Sequence, residues 1–402
     1  MRSARLPRWA HTQGPRALLL AGAVGLAGGG LAGGGLAGAA TLRHGRGSAP
    51  RLQFRRSVLA HLAAGGAGAN PYGIATVPFS TGTLVAGDVL VAEFNAAGGP
   101  AGSGTSILQV DPSTGMTTVF ARGLPISGPV GIAINPVNDL VWLGDFGATD
   151  GTTANVLVLL PDGAVKAQLS AQTTHVATGQ QPAFAGVWGQ GVSQLPSGQV
   201  SFYYGTTGSG PAGAGGGSVY RIDPHPTGPA NGQPLNATYV QLATGLGDNA
   251  TAVALPVTAA NAAGPQGFAY DPTTGTLYVA DDASNTITAI PNAATATGPT
   301  ATTTVPVAAG VLDVPENIAL APNGNLVVAN AGNNTIAVID PTTGATVGVA
   351  VVDHHAPGAL FGLAVVPDAH GTSTTATSVL YVDDNFNTLN ELVIEPHPKP
   401  KP

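Results

Sequence analysis

Several short apolar runs of this chain end in oxygen-bearing side chains: Glu93, Asp145, Asp281, Asn330 and Asp384. Asn95, Asp282, Asn333, Asn334, Asp383 and Asn385 stand beside them. Carboxylates and amides at matching places in successive units are what a hard cation needs, because Ca²⁺ takes about six to eight oxygens. The same residue types also close strand ends by accepting turn N–H groups. Both readings are open on sequence alone.

A second set precedes other apolar runs: Tyr72, Val130, Gln190, Gln266, Glu316 and Phe361. Tyr72, Trp188 and Phe361 are large rings in a chain with 5% aromatics. They suit either a ligand mouth or a core. The expected binding residues are therefore Tyr72, Trp188, Gln190, Gln266 and Phe361. The weaker metal set is Glu93, Asp145, Asp281, Glu316, Asn317, Asn330 and Asp384. Ca²⁺ is the one cofactor this chemistry suggests.

Catalytic signals are thin. His354 and His355 are adjacent, and in a strand such neighbours point oppositely, so only one reaches a given ion. His175, His225 and His397 have no companions. No Ser lies in a G-x-S-x-G elbow and no H-E-x-x-H occurs. The chain has no cysteine, which excludes thiol catalysis, disulfides and cysteine-held zinc. No catalytic residue is assigned.

The elements that must position these residues repeat six times. GIATVP (from Gly73), GIAINP (Gly131), GVSQLP (Gly191), GFAYDP (Gly267), NIALAP (Asn317) and GLAVVP (Gly362) start 58, 60, 76, 50 and 45 residues apart. Each spacing holds one four-stranded blade with loop insertions, so the pattern predicts an all-β, six-bladed β-propeller of antiparallel blades. In the fifth copy PENIALAP, NLVVAN, TIAVID and ATVGVAVV read as four strands, with Asn323-Gly324 as a tight turn. Asp-Pro-x-Thr-Gly turns recur at Asp111, Asp271 and Asp340, and these aspartates, with Asp223, read as turn residues. Meander geometry puts the starts of first strands and the ends of second strands on one inlet face, and these turns on the other. The sixth copy has only three strands, and the otherwise unexplained RLQFRRSVLAHL (from Arg51) is expected to supply its fourth and close the ring. A Gly-rich run from Gly205 lacks the Lys-Ser/Thr ending of a phosphate loop and reads as a hairpin tip.

Composition narrows the class of partner. Charged residues are 9%, against roughly 25% in ordinary domains. Nine of the fourteen Lys and Arg lie in residues 1–56, while all 21 acids lie between 57 and 397. Nucleic acid is excluded as a partner, since binding it needs cations against phosphates. A monomer meeting a protein, a glycan or a small molecule is expected. Arg2, Arg5, Arg8 and Arg16 precede an apolar stretch from Ala17 to Ala40, with Ala37-Gly38-Ala39 as a small-residue cleavage site. A cleaved export signal and a retained anchor both fit, the first being expected, which puts the protein outside the cytoplasm. The division expected is 1–40 signal peptide, 41–67 linker and closing strand, 68–395 propeller, 396–402 Pro/Lys-rich tail.

GFAYDPTTGTLYVADDASNTI, PENIALAPNGNLVVANAGNNTIAVID and FGLAVV with LYVDDNFNTL resemble NHL-type propeller repeats. NPYG and VDDNFNTLNEL resemble exported bacterial NHL-repeat proteins. The resemblance covers about residues 68–394 and implies the propeller fold, with functions that range from binding to lactone hydrolysis. Metal-dependent lactonases of the gluconolactonase and regucalcin kind use a Glu in the first blade and an Asn before Gly. Here Tyr72-Gly73 stands in the first place and Asn317 replaces the Gly itself, leaving Glu316 and Asn317 as support. The expected function is a non-catalytic binding module working through its inlet face, with a divalent-cation-dependent lactonase as the alternative.

Overall fold

The computed structural model describes residues 52–62, 68–147, 153–170, 182–208, 217–225, 236–247, 262–366 and 377–396. The expected signal segment, His175, His397 and most of the Gly-rich run lie outside them. A first strand, β1 (Leu52–His61), precedes the blades. Blade 1 is β2 (Gly68–Thr76), β3 (Val89–Ala96), β4 (Ser106–Val110) and β5 (Thr117–Arg122). Blade 2 is β6 (Pro129–Ile134), β7 (Val141–Asp145), β8 (Asn155–Leu159) and β9 (Val165–Leu169). Blade 3 is β10 (Val187–Gln194), β11 (Val200–Thr206), β12 (Ser218–Pro224) and β13 (Ala237–Ala243). Blade 4 is β14 (Pro265–Asp271), β15 (Thr276–Asp281), β16 (Thr286–Ile290) and the two-residue β17 (Thr303–Thr304). Blade 5 is β18 (Pro315–Leu320), β19 (Leu326–Asn330), β20 (Thr335–Ile339) and β21 (Thr346–Val351). Blade 6 holds β22 (Leu360–Val366), β23 (Thr377–Asp383) and β24 (Thr388–Pro396).

Each sheet is an antiparallel meander, and the sixth has the order β1-β24-β23-β22. The segment before blade 1 thus supplies the missing outer strand. Its register runs from Leu52 opposite Pro396 to His61 opposite Thr388, with a bulge between Val58 and Ala60. The innermost strands touch in the cycle β2, β6, β10, β14, β18, β22 and back to β2. The chain is a closed six-bladed propeller.

The recurring glycine has a steric cause. The inner strands crowd so closely that a Cβ on Gly73 would lie 2.1 Å from the Val130 carbonyl oxygen, and one on Gly362 2.0 Å from that of Tyr72. Real side chains do not pack at such distances. Outward from this hub the blades meet through apolar faces that alternate along each strand. Trp142, for instance, stacks on Phe202 of the next blade with ring centroids 3.9 Å apart.

Five expected turn positions take three different forms. Asp111 accepts the Ser113 and Thr114 N–H groups, Asp271 that of Thr273 and Asp340 that of Thr342, as turn residues should. Asp223 differs: it pairs with Arg221 (2.8 Å), whose other nitrogen donates to the Ala293 carbonyl, so it is held as an ion-pair partner. At Asn323-Gly324 the connection is wider than a two-residue turn. Only Gly324 has positive φ (84°), and its N–H reaches Ala321 O, because Pro322 fixes the first corner.

Replacing Gly362 with Ala should lower unfolding free energy by more than about 2 kcal/mol. Gly298→Ala, where nothing lies within 4 Å, should change it by less than about 0.5 kcal/mol. Urea unfolding of the two variants measures the difference.

Candidate functional site

The first residues of the inner strands converge at the inlet end of the axis. Tyr72 and Gly73 break the pairing of β2 with β3, where the register shifts between Pro71 and Ile74, and the same shift occurs at the start of β10, β14, β18 and β22. These irregularities turn the leading side chains inward. Tyr72 stacks on Phe361 (centroids 4.4 Å) and meets Trp188 edge-on (5.4 Å). Phe94 lies 5.3 Å from both Tyr72 and Trp188, and Phe146 5.1 Å from Trp188. Five rings from blades 1, 2, 3 and 6 thus close the inlet end, and Tyr72, Trp188 and Phe361 are between 3% and 7% exposed.

Polar groups run through this plug. Trp188 Nε1 donates to the Tyr72 hydroxyl (3.1 Å). That hydroxyl donates to Glu316 Oε2 (2.8 Å) and lies 3.0 Å from Gln266 Oε1. Asp282 stands behind them, accepting the Gly264 N–H at 2.6 Å. Burial pushes the Glu316 carboxyl well up, and repulsion from Asp282 adds to it against the Tyr72 hydrogen bond. Burial likewise raises Asp282 to about 7, despite the Gly264 N–H, with Asp281 adding repulsion. The Tyr72 hydroxyl is raised by burial and by Glu316. Both carboxyls therefore hold their protons to higher pH than free carboxyls, which lose them at about pH 4.

From this floor a channel of about 440 Å³ follows the axis. Its walls carry Ile74, Ile132, Phe268, Ile318 and Leu363, and its far end reaches Thr76, Pro78, Pro136, Tyr270 and Leu320. Burial falls off in that direction: Ala75, Thr76, Tyr270, Ala319, Leu320, Ala364 and Val365 are all partly exposed. The open mouth therefore lies among the hairpins that join first and second strands, on the side opposite the aromatic plug.

The remaining sequence candidates divide clearly. Gln190 borders the channel, but its amide is buried against Gly144 of blade 2 without a hydrogen bond. Asp145 accepts the Ser127 N–H (2.7 Å) and the Asn155 amide (2.9 Å), and burial nevertheless lifts it to about 8. Asp281 accepts the Gly247 and Ser284 N–H groups (2.7 and 3.2 Å). Asn330 accepts the Asp313 N–H and donates to Val311 O and Thr335. Glu93 takes the Ser106 hydroxyl, Asn317 its neighbour's N–H at Ile318, and Asp384 the Asn70 N–H. All but Asp384, which reaches β2 of blade 1, bind their own blade and the loop entering it, and among the described residues no three carboxylates or imidazoles gather. Only Glu316 of the metal set enters the axial cluster, and one acid partner with one amide and one hydroxyl falls short of the six to eight oxygens of Ca²⁺. His355 holds Asp353 at 2.6 Å on the rim, with its ring edge-on to Phe386. His225 meets the Thr238 hydroxyl at 3.0 Å.

No family model matches the sequence, and neither does any curated protein. Among solved structures the chain is similar to a gluconolactonase from Xanthomonas campestris, at 15% identity over 86% of this chain and 94% of that one (TM-score 0.52). It is similar to a luciferin-regenerating enzyme at 10% identity, over 85% and 95% (TM-score 0.50), and to a streptogramin B lyase at 16%, over 84% and 97% (TM-score 0.48). The likeness is one of fold. Propellers of this shape serve enzymes and binding proteins alike, so the site alone must carry the function.

Phe94 and Phe146 of the axial cluster were not singled out by sequence reasoning, and Asp282 was named beside Asp281 without entering either candidate set. Asp282 follows Asp281, and successive strand residues point to opposite sides, so one carboxyl binds the Gly247 loop while the other faces the axis. Phe94 and Phe146 follow Glu93 and Asp145 in the same way. An aromatic or acidic residue one step beyond a second-strand cap was the available signal.

The raised carboxyls fix the direction of pH dependence. A carboxyl held above its unfolded pKa stabilises the fold fully below about pH 4 and loses that contribution as pH rises toward its folded value. Asp282 (about 7) and Asp145 (about 8) extend the loss through neutrality, whereas the exposed Asp111, lowered to about 2, acts only below about pH 4. The melting temperature should therefore fall by at least about 3 °C between pH 5 and pH 8. Glu316→Gln should reduce that slope in calorimetric scans.

Proposed function

We propose that this protein is an exported propeller of NHL-type repeats that binds a small molecule in its axial channel without catalysing a reaction. The observation that carries the proposal is the lining of the channel. Apolar walls end in a few fixed polar groups, which is the composition of small-molecule sites. Its volume of about 440 Å³ falls within their range of about 300–1,000 Å³. Export is supported by the arginines and apolar stretch at the start of the sequence, and the repeat type by the quoted blade motifs. The inlet residues expected to form an open mouth instead supply the floor, so binding is proposed from the hairpin side.

The lactonase reading has the gluconolactonase likeness behind it, but of the proposed donors only Glu316 reaches the axial cluster. A pH-stat assay on a panel of five- and six-membered lactones, with and without Ca²⁺, separates the two. No turnover is expected, and Ca²⁺ should leave the melting temperature unchanged. Calcium-dependent ring opening would overturn the binding-only reading. Ile132→Trp, which fills the channel, should abolish ligand-induced melting shifts seen in a small-molecule screen of the wild type.

A further inference from the structure

We propose that the channel takes an apolar organic amine, its protonated nitrogen against Glu316, with an oxygen close to that nitrogen received by Gln266. The inference rests on the channel being a binding site and names what that site selects.

Glu316 Oε2 is occupied by the Tyr72 hydroxyl, and among the described residues no donor reaches Oε1, while the residue borders the channel. A second carboxyl, Asp282, stands beside it. No basic side chain among the described residues lines the channel. Arg55 pairs with Glu395, Arg56 donates to Val352 O, and Arg221 is held by Asp223 and Ala293 O. Among the described residues no basic side chain is placed to match these acids, which leaves that role to a cationic ligand. Tyr72 and Trp188 also border the channel, and ring faces attract ammonium groups. The walls, Ile74, Ile132, Phe268 and Ile318, suit an apolar body rather than a hydrated metal ion.

Gln266 supplies an independent observation. It is 2% exposed, its Oε1 is engaged by Tyr72, and its Nε2, on the Asp282 side, makes no hydrogen bond of normal geometry. A buried donor held off ordinary geometry from its acid neighbour forfeits much of a hydrogen bond, and a ligand oxygen would supply it. An amino alcohol with an apolar group meets both demands at once. Binding such an ammonium displaces a proton from the carboxyl pair, since a positive neighbour favours the ionised form. The titratable groups facing this point are Glu316, Asp282, Asp281 and Tyr72.

The test uses three molecules of nearly one shape: 2-amino-1-phenylethanol, 1-phenyl-1,2-ethanediol and mandelate. Calorimetric titration of the full chain in two buffers of different ionisation enthalpy, together with tryptophan fluorescence, reads binding and proton release. The amine should bind at least about tenfold tighter than the diol, release protons at pH 7 and tighten from pH 6 to pH 8. Mandelate should not bind. Glu316→Gln should erase the preference for the amine while still binding the diol, its fold being checked by its melting transition. If that variant does not fold, the wild-type amine-to-diol ratio and proton release decide. Equal or tighter binding of the diol or mandelate, or amine binding without proton release, overturns the amine inference and leaves the channel reading in place. If neither these compounds nor a wider small-molecule screen binds, both fail.

Discussion

Everything in this molecule depends on how closely six strands can approach one axis. Where a Cβ would meet a backbone oxygen of the next blade at about 2 Å, only glycine allows the ring to close. The blades then diverge outward, and the space between them fills with apolar side chains. The contact is purely steric, yet it decides where chemistry can occur. Side chains cannot occupy the waist of the hub, so those that approach the axis do so just before the glycine, as Tyr72, Gln190, Gln266 and Phe361 do.

Only blade 5 departs from this pattern. Asn317 takes the glycine place and turns its amide oxygen to the Ile318 N–H. Glu316 precedes it and brings a carboxyl into a chamber of rings. An ionised carboxylate there would face low-polarity surroundings and a second acid, with no cation among the described residues to offset it. The structure answers with hydroxyl and amide partners, and burial raises the pKa of both acids. Chemical interest is therefore concentrated at one end of an otherwise apolar bore, and the bore opens away from it.

The fold was legible because repetition and glycine spacing are local statements about a global shape. Even ring closure could be read, since a blade short of one strand and an unassigned strand elsewhere fit each other. The site was legible only in part. Tyr72, Trp188, Gln266, Glu316 and Phe361 were correctly placed at the ends of inner strands. Core packing was one of the two readings open for the three rings, and Phe94 and Phe146 reaching across from neighbouring blades decide for it. The second-strand caps Asp145, Asp281 and Asn330 looked like ligands because caps and ligands use the same oxygens. What separates the two roles is which way a short side chain points, and a register shift of one residue decides that.

The pairing of β1 with β24 carries a mechanical consequence. Leu52 lies opposite Pro396, so the chain enters and leaves the ring at neighbouring points on one outer edge. A pull on the two ends would load the terminal hydrogen bonds one after another and peel the strand away, instead of shearing the whole ladder together. The ring resists thermal opening through many bonds acting at once, but tension at its seam would meet them singly. A propeller held by either end is in this sense sturdy as a vessel and weak as a link in a chain.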